Sequence, residues 1–120
     1  SIFFVSDFRS EAAVDELKEK NSLKKFDSII CANDLIAAGL IRILLDSGVA
    51  VGQDCAIVGM DNTDLAKIIY PSLTSVDLLA ERRGEIAAEL LLERMKNRDS
   101  SIKRIEVKPR IVVRDSSGKS

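Results

Sequence analysis

Apolar and polar positions along the chain fall into short blocks of two kinds. The first kind is a brief, mostly apolar run: IFFV at 2–5, FDSIICA at 26–32 and CAIVGM at 55–60. Such runs are too short for helices and do not alternate, which predicts strands buried on both sheet faces. The second kind carries apolar residues at helical spacing. In SEAAVDELKEK at 10–20, Ser10 is placed to cap, Ala13, Val14 and Leu17 share a face, and Glu16 and Lys20 form an i,i+4 pair. A second helix is predicted over 33–47, closed by Gly48 where a positive φ is needed. NTDLAKII at 62–69 predicts a short helix stopped by Pro71, and LTSV at 73–76 a brief extended piece. A long amphipathic helix spans 78–96, with Leu79, Ile86, Leu90 and Leu91 expected inward. Residues 103–115 read as extended, with Pro109 at an edge or a break, and SSGKS at 116–120 reads as a frayed tail.

Strand and helix alternate with short links, so the expected fold class is α/β, a parallel sheet with helices on both faces. The helix over 33–47 is apolar nearly all round, with only Arg42 and Asp46 clearly polar. One face covers the sheet. The remainder needs a second cover, and a partner subunit in a homodimer is the economical one.

Composition narrows the function. The 120 residues are 46% hydrophobic and 31% charged, a packable chain of about one domain. Net charge is −1, so no global basic field holds nucleic acid. There is no histidine, which removes Ser-His-Asp and Cys-His mechanisms and most catalytic zinc sites. Cys31 and Cys55 lie inside apolar runs and read as reduced core residues. The six glycines form neither G-x-G-x-x-G nor a P-loop, and no cofactor is expected. No apolar run reaches the roughly 18–20 residues of a membrane span. The opening SIFFVSDF starts inside a strand-like run, so the chain reads as a piece of a longer protein.

In an open α/β sheet, ligands bind outside the carboxyl ends of the strands. Those ends carry Asp7-Phe8, Asn33-Asp34 and Asp61-Asn62. Carboxylates, amides and one ring suit a small, neutral, polyhydroxylated or heterocyclic ligand. Each has a plainer reading. Asn33 or Asp34 suits the cap and first turn of the next helix, Asp61, Asn62 or Thr63 does the same for the short helix, and Phe8 suits the core. Asp34, Asp61 and Asp64 also suggest magnesium, without a lysine or hydroxyl-bearing strand end to complete the site.

The order and spacing of several short motifs resemble the LacI/GalR family of transcription regulators. They are S-D-F at 6–8, C-A-N-D at 31–34, I-V-G-M-D-N at 57–62, P-S-L-T-S-V at 71–76 and P-R-I-V-V-R-D-S at 109–116. The resemblance is to the C-terminal part of the effector-binding region. It implies a periplasmic-binding-protein-like type I fold, partial here, with effector in a cleft between two subdomains. It implies that Phe8 stacks on the effector, Asn33 hydrogen-bonds it and Asp61 anchors it, with Asp34 beside them. It divides the chain into 1–76 in the C-terminal subdomain, 77–100 as a helix of the N-terminal subdomain, and 101–120 as a returning strand and tail. Gly52 stands where proline is frequent, which predicts a looser turn, and Leu78 where a polar residue is common. The parent would bind operator DNA through an N-terminal headpiece outside this chain.

The reading is therefore an effector-binding and dimerisation module of a cytoplasmic transcription regulator, not an enzyme. The alternative is a solute-binding protein of a sugar ABC transporter. A third reading is a magnesium-dependent α/β enzyme. Carboxylate plus amide favours a sugar, while GMDN and IEVKPR resemble the purine-responsive branch and keep a base open.

Overall fold

The computed structural model describes residues 26–98 and 101–118. The strand expected at 2–5, the helix at 10–20 and Phe8 lie outside them. In chain order the elements are β1 (Ser28–Ile30), α1 (Asp34–Asp46), β2 (Ala56–Met60), α2 (Asp64–Ile68), β3 (Thr74–Asp77), α3 (Ala80–Lys96), β4 (Arg110–Val112) and a closing 3-10 turn (Asp115–Ser117).

The strands form one sheet in the order β1-β2-β3-β4. β1, β2 and β3 are parallel, with Ile29 beside Ile57 and Gly59 beside Ser75. β4 is antiparallel to β3, pairing Arg110 with Asp77 and Val112 with Ser75. The expectation of a parallel sheet is corrected at this edge. The chain leaves β3 at its carboxyl end and comes back beside that same end, so β4 can only run against β3. Among the described residues, α1 and α2 cover the same face, the one that carries Ile57 and Gly59. Right-handed crossovers that keep moving in one direction across a sheet require this.

Asn33 starts α1 with extended backbone, and its Oδ1 accepts from the Ile36 N–H at 2.8 Å. Ser47 ends the helix, and Gly48 follows at φ 75. Ala37, Leu40, Ile41 and Leu44 are buried with Cys31, Cys55, Ile57, Ala66 and Leu73 in one core. Ile36 and Ile43 are buried too, and the only large apolar residues of α1 left exposed are Leu35 and Leu45. The expectation that much of this helix needs a partner subunit is corrected, because the chain itself covers most of it.

α3 differs, for none of its residues is buried. Ile86 and Leu90 are half-buried against the returning segment, across a groove of about 810 Å³ that Ile105 and Val107 also line. Leu91, expected inward, is 61% exposed, because the covering segment reaches only one side of the helix.

The tail is not frayed at its start. Ser116 is fully buried, donates to the Ile57 carbonyl at 2.6 Å and accepts from the Thr74 N–H at 2.9 Å. Its hydroxyl thus links β2 to β3. Asp115 packs against the turn at Gly52, where a Cβ would lie 2.3 Å from the Asp115 carbonyl oxygen. Gly52 sits at φ 88 and donates its N–H to the Cys55 carbonyl. Proline fixes φ near −65° and has no N–H, so it could not stand in this turn. The expected loosening is reversed here: glycine is what lets the turn close.

Two outcomes test this packing. A Cβ at Gly59 would meet Asp34 Oδ1 at 2.4 Å and Leu73 Cδ2 at 2.8 Å. Gly59→Ala is therefore expected to lower stability in urea unfolding by about 1–3 kcal/mol, the usual cost of overpacking. Burial, with smaller contributions from Cys55 and Asp34, pushes the Cys31 thiol up from 9.0 to about 12. The native thiol should resist iodoacetamide at pH 8 and react once urea is added. Because the folded value lies above the unfolded one, this contribution to stability is complete below pH 9 and declines as pH rises toward 12.

Candidate effector-binding wall

Three parallel strands bring three strand ends to one edge. β1 delivers Asn33 and Asp34, β2 delivers Asp61 and Asn62, and β3 ends in Asp77. Because β4 runs the other way, its first residue, Arg110, joins the same edge. Asp77 and Arg110 are not among the site residues expected from the sequence, where 73–76 reads only as a brief extended piece. The signal was present: TSVD follows the same apolar-then-acid pattern as the other two ends.

The two aspartates of the sequence prediction have opposite surroundings. Asp34 is 1% exposed. Its Oδ2 accepts from the Thr63 N–H at 2.7 Å and from Thr63 Oγ1 at 2.9 Å, and its Oδ1 accepts from Ser75 Oγ at 2.6 Å. The carboxylate thus crosses from α1 over Gly59 to the start of α2 and to β3. It lies at the amino end of both helices, where the main-chain dipoles favour a negative charge. Asp34 is placed to hold the wall together, and its oxygens are turned inward rather than to the edge. The cap expected of Asp61, Asn62 or Thr63 is not made by them: Thr63 occupies the cap position of α2 without a side-chain cap bond, and Asp34 takes its N–H instead.

Asp61 is exposed, and its carboxylate has no partner among the described residues. Its N–H donates to the Val76 carbonyl at 2.9 Å, and its φ is 96. A non-glycine residue there is uncommon, and residues held in such conformations cluster at functional sites. Asn33 is half-buried at the adjoining strand end, and Asp34 links its helix to the turn that carries Asp61.

Behind this edge lies a charged network. Asp77 Oδ2 accepts from Arg110 Nε at 3.0 Å and Nη2 at 2.9 Å, and from Asn62 Nδ2 at 3.3 Å; its Oδ1 accepts from the Leu79 N–H at 2.9 Å. The Leu79 N–H and the Arg110 guanidinium hold the Asp77 carboxyl below the usual carboxylate range. Arg114 donates to the Leu73 carbonyl and to Asn62 Oδ1, each within 2.7 Å. The aspartates that suggest magnesium in the sequence do not converge: Asp34 is enclosed, and Asp64 is paired with Lys67 at 2.8 Å on the surface. Among the described residues no group of three acidic, histidine or cysteine side chains is arranged to hold a metal.

Comparison with known proteins adds the family. The model of the periplasmic binding protein-like domain matches residues 4–117. The HTH-type transcriptional repressor PurR of Photobacterium profundum is 35% identical over 111 residues, covering 92% of this chain and 33% of its own. PurR of Vibrio parahaemolyticus is 36% identical over 93 residues, 78% of this chain and 28% of its own. Among solved structures, the transcriptional regulator CelR in complex with cellobiose superposes with a TM-score of 0.81 at 29% identity, over 92% of this chain and 34% of that one. A LacI family transcriptional regulator from Enterococcus faecium with bound ribose gives 0.82 at 26%, over 93% and 41%. The chain spans about a third of the length of the curated relatives it matches. These relatives are transcription repressors and regulators, not enzymes. With its open α/β sheet, its polar strand ends and this match along nearly its whole length, the chain belongs to the periplasmic binding protein-like domain family and is similar to one segment of LacI-type transcription regulators.

Proposed function

We propose that this chain forms one wall of an effector cleft in a LacI/GalR-type transcription regulator, and that Asp61 anchors the effector. The observation that carries the reading is the exposed Asp61 carboxylate, without a partner among the described residues and set on a positive-φ turn at the carboxyl end of β2. A free carboxylate accepts from vicinal hydroxyls or from the N–H groups of a base. Asn33 adds a hydrogen bond from the neighbouring strand end, and Phe8, outside the described residues, stacks on the ligand. Asp34 serves as the strut and not as a contact. A sugar suits this set best. The relatives with bound cellobiose and ribose support it, and the GMDN and IEVKPR motifs keep a purine as the second reading.

The rest of the parent follows the same likeness. α3 buries none of its residues here, which supports its assignment to a second subdomain beyond the cleft. The parent acts in the cytoplasm as a homodimer and meets operator DNA through a headpiece outside this chain. The repressor relatives favour this over a transporter's solute-binding protein.

Calorimetry on the full-length regulator with ribose, cellobiose and hypoxanthine tests the site. Asp61→Ala is expected to weaken binding by about 10- to 100-fold, the loss of one or two hydrogen bonds to a charged group, and Phe8→Ala to weaken it too. Unchanged affinity in both variants removes the site. Asp34→Ala should fail differently. It leaves the Thr63 N–H, Thr63 Oγ1 and Ser75 Oγ without their acceptor, so urea unfolding should show a loss of about 3 kcal/mol or more before any ligand is added.

A further inference from the structure

We propose that Asn62 is a positioning residue that holds the Asp61 turn and fastens it to the two strands through which the chain leaves for α3 and returns. The role rests on the reading of Asp61 as the anchor; the geometry stands by itself. Asp61 at φ 96 is followed by Asn62 at φ 50. Asp61 has one bond of its own among the described residues, from its N–H to Val76. A residue in so sparsely populated a conformation moves toward the extended region unless its surroundings fix it.

Asn62 supplies the fixing at three points. Its N–H donates to Ser75 Oγ at 2.9 Å, its Nδ2 donates to Asp77 Oδ2 at 3.3 Å, and its Oδ1 accepts from Arg114 Nη2 at 2.7 Å. The amide presents a donor to an acid and an acceptor to a base from two separate atoms of one short side chain, and asparagine also tolerates the left-handed backbone. Both polar ends of the amide are therefore engaged within the protein, which separates Asn62 from a ligand contact.

Each partner extends the hold. Ser75 Oγ passes on to the buried Asp34 carboxylate at 2.6 Å. Asp77 is the last residue of β3 and Arg110 the first of β4, and their two-pronged pair closes the point where the chain departs and comes back. The anchor turn is thus fastened at once to the core strut and to both crossings.

The test needs no ligand. Asn62→Gly keeps the positive φ and the main-chain bond to Ser75 and removes only the two side-chain bonds. Urea midpoints of the full-length regulator are compared for the wild type, Asp61→Gly, Asn62→Gly and the double variant. Asp61→Gly should raise the midpoint in the wild-type background, since glycine accepts φ 96 freely. In the Asn62→Gly background that rise should shrink by half or more, because the released turn has already relaxed. Equal rises in both backgrounds, or no rise in the wild type, overturn the proposal; a purely structural Asn62 would give the equal rises. If Asn62→Gly does not fold, Arg110→Gln, which frees Asp77 from one side, is expected to shrink the rise in the same direction, and an undiminished rise again overturns it. Normal effector binding by Asp61→Ala would instead remove the anchor and leave this coupling to be read separately.

Discussion

The wall depends on one buried charge. Asp34 sits at the first turn of α1, yet three of the hydrogen bonds it accepts come from elsewhere, two from Thr63 and one from Ser75. An enclosed carboxylate without those donors would cost several kcal/mol. With them it fixes how α1, the start of α2 and β3 meet. Gly59 is the condition for this, since any Cβ there would occupy the space that the carboxylate crosses. The positions of Thr63 at the start of α2 and of Ser75 in β3 are tied to that contact.

Adjacent strand ends thus use the same residue type for opposite purposes. Asp34 is satisfied and enclosed; Asp61 is exposed and unpaired among the described residues. Asp77 is a third case, fully engaged and half-buried, and its pairing with the exposed Arg110 joins two chain crossings. What distinguishes the three is not the side chain but which neighbouring element supplies donors. For Asp61 the described residues supply none.

Much of the fold was legible because it rests on local periodicity. The helix over 33–47, the strands ending at Ala32 and Met60 and the long helix at 78–96 follow from run length and turn residues, and the structure places them within a few residues of those bounds. That the polar residues of the candidate site share one edge was legible too, because strand ends in a parallel sheet gather there. The rest required contacts between residues distant in sequence. That Asp34 turns inward depends on Thr63 and Ser75. That Ser116 is a buried link and not a frayed end depends on Ile57 and Thr74. That Gly52 tightens a turn depends on Asp115. None of these pairs leaves a local signature, and the direction of β4 likewise depends on where α3 returns the chain.

The central claim is that one aspartate of this edge binds while the other holds. A crystal structure of the full-length regulator with its effector tests it most directly. An effector hydroxyl or N–H is expected within about 2.7–3.2 Å of an Asp61 carboxylate oxygen, with Asp34 still bonded to Thr63 and Ser75. An effector seated on Asp34, or one that leaves Asp61 facing solvent, would contradict it.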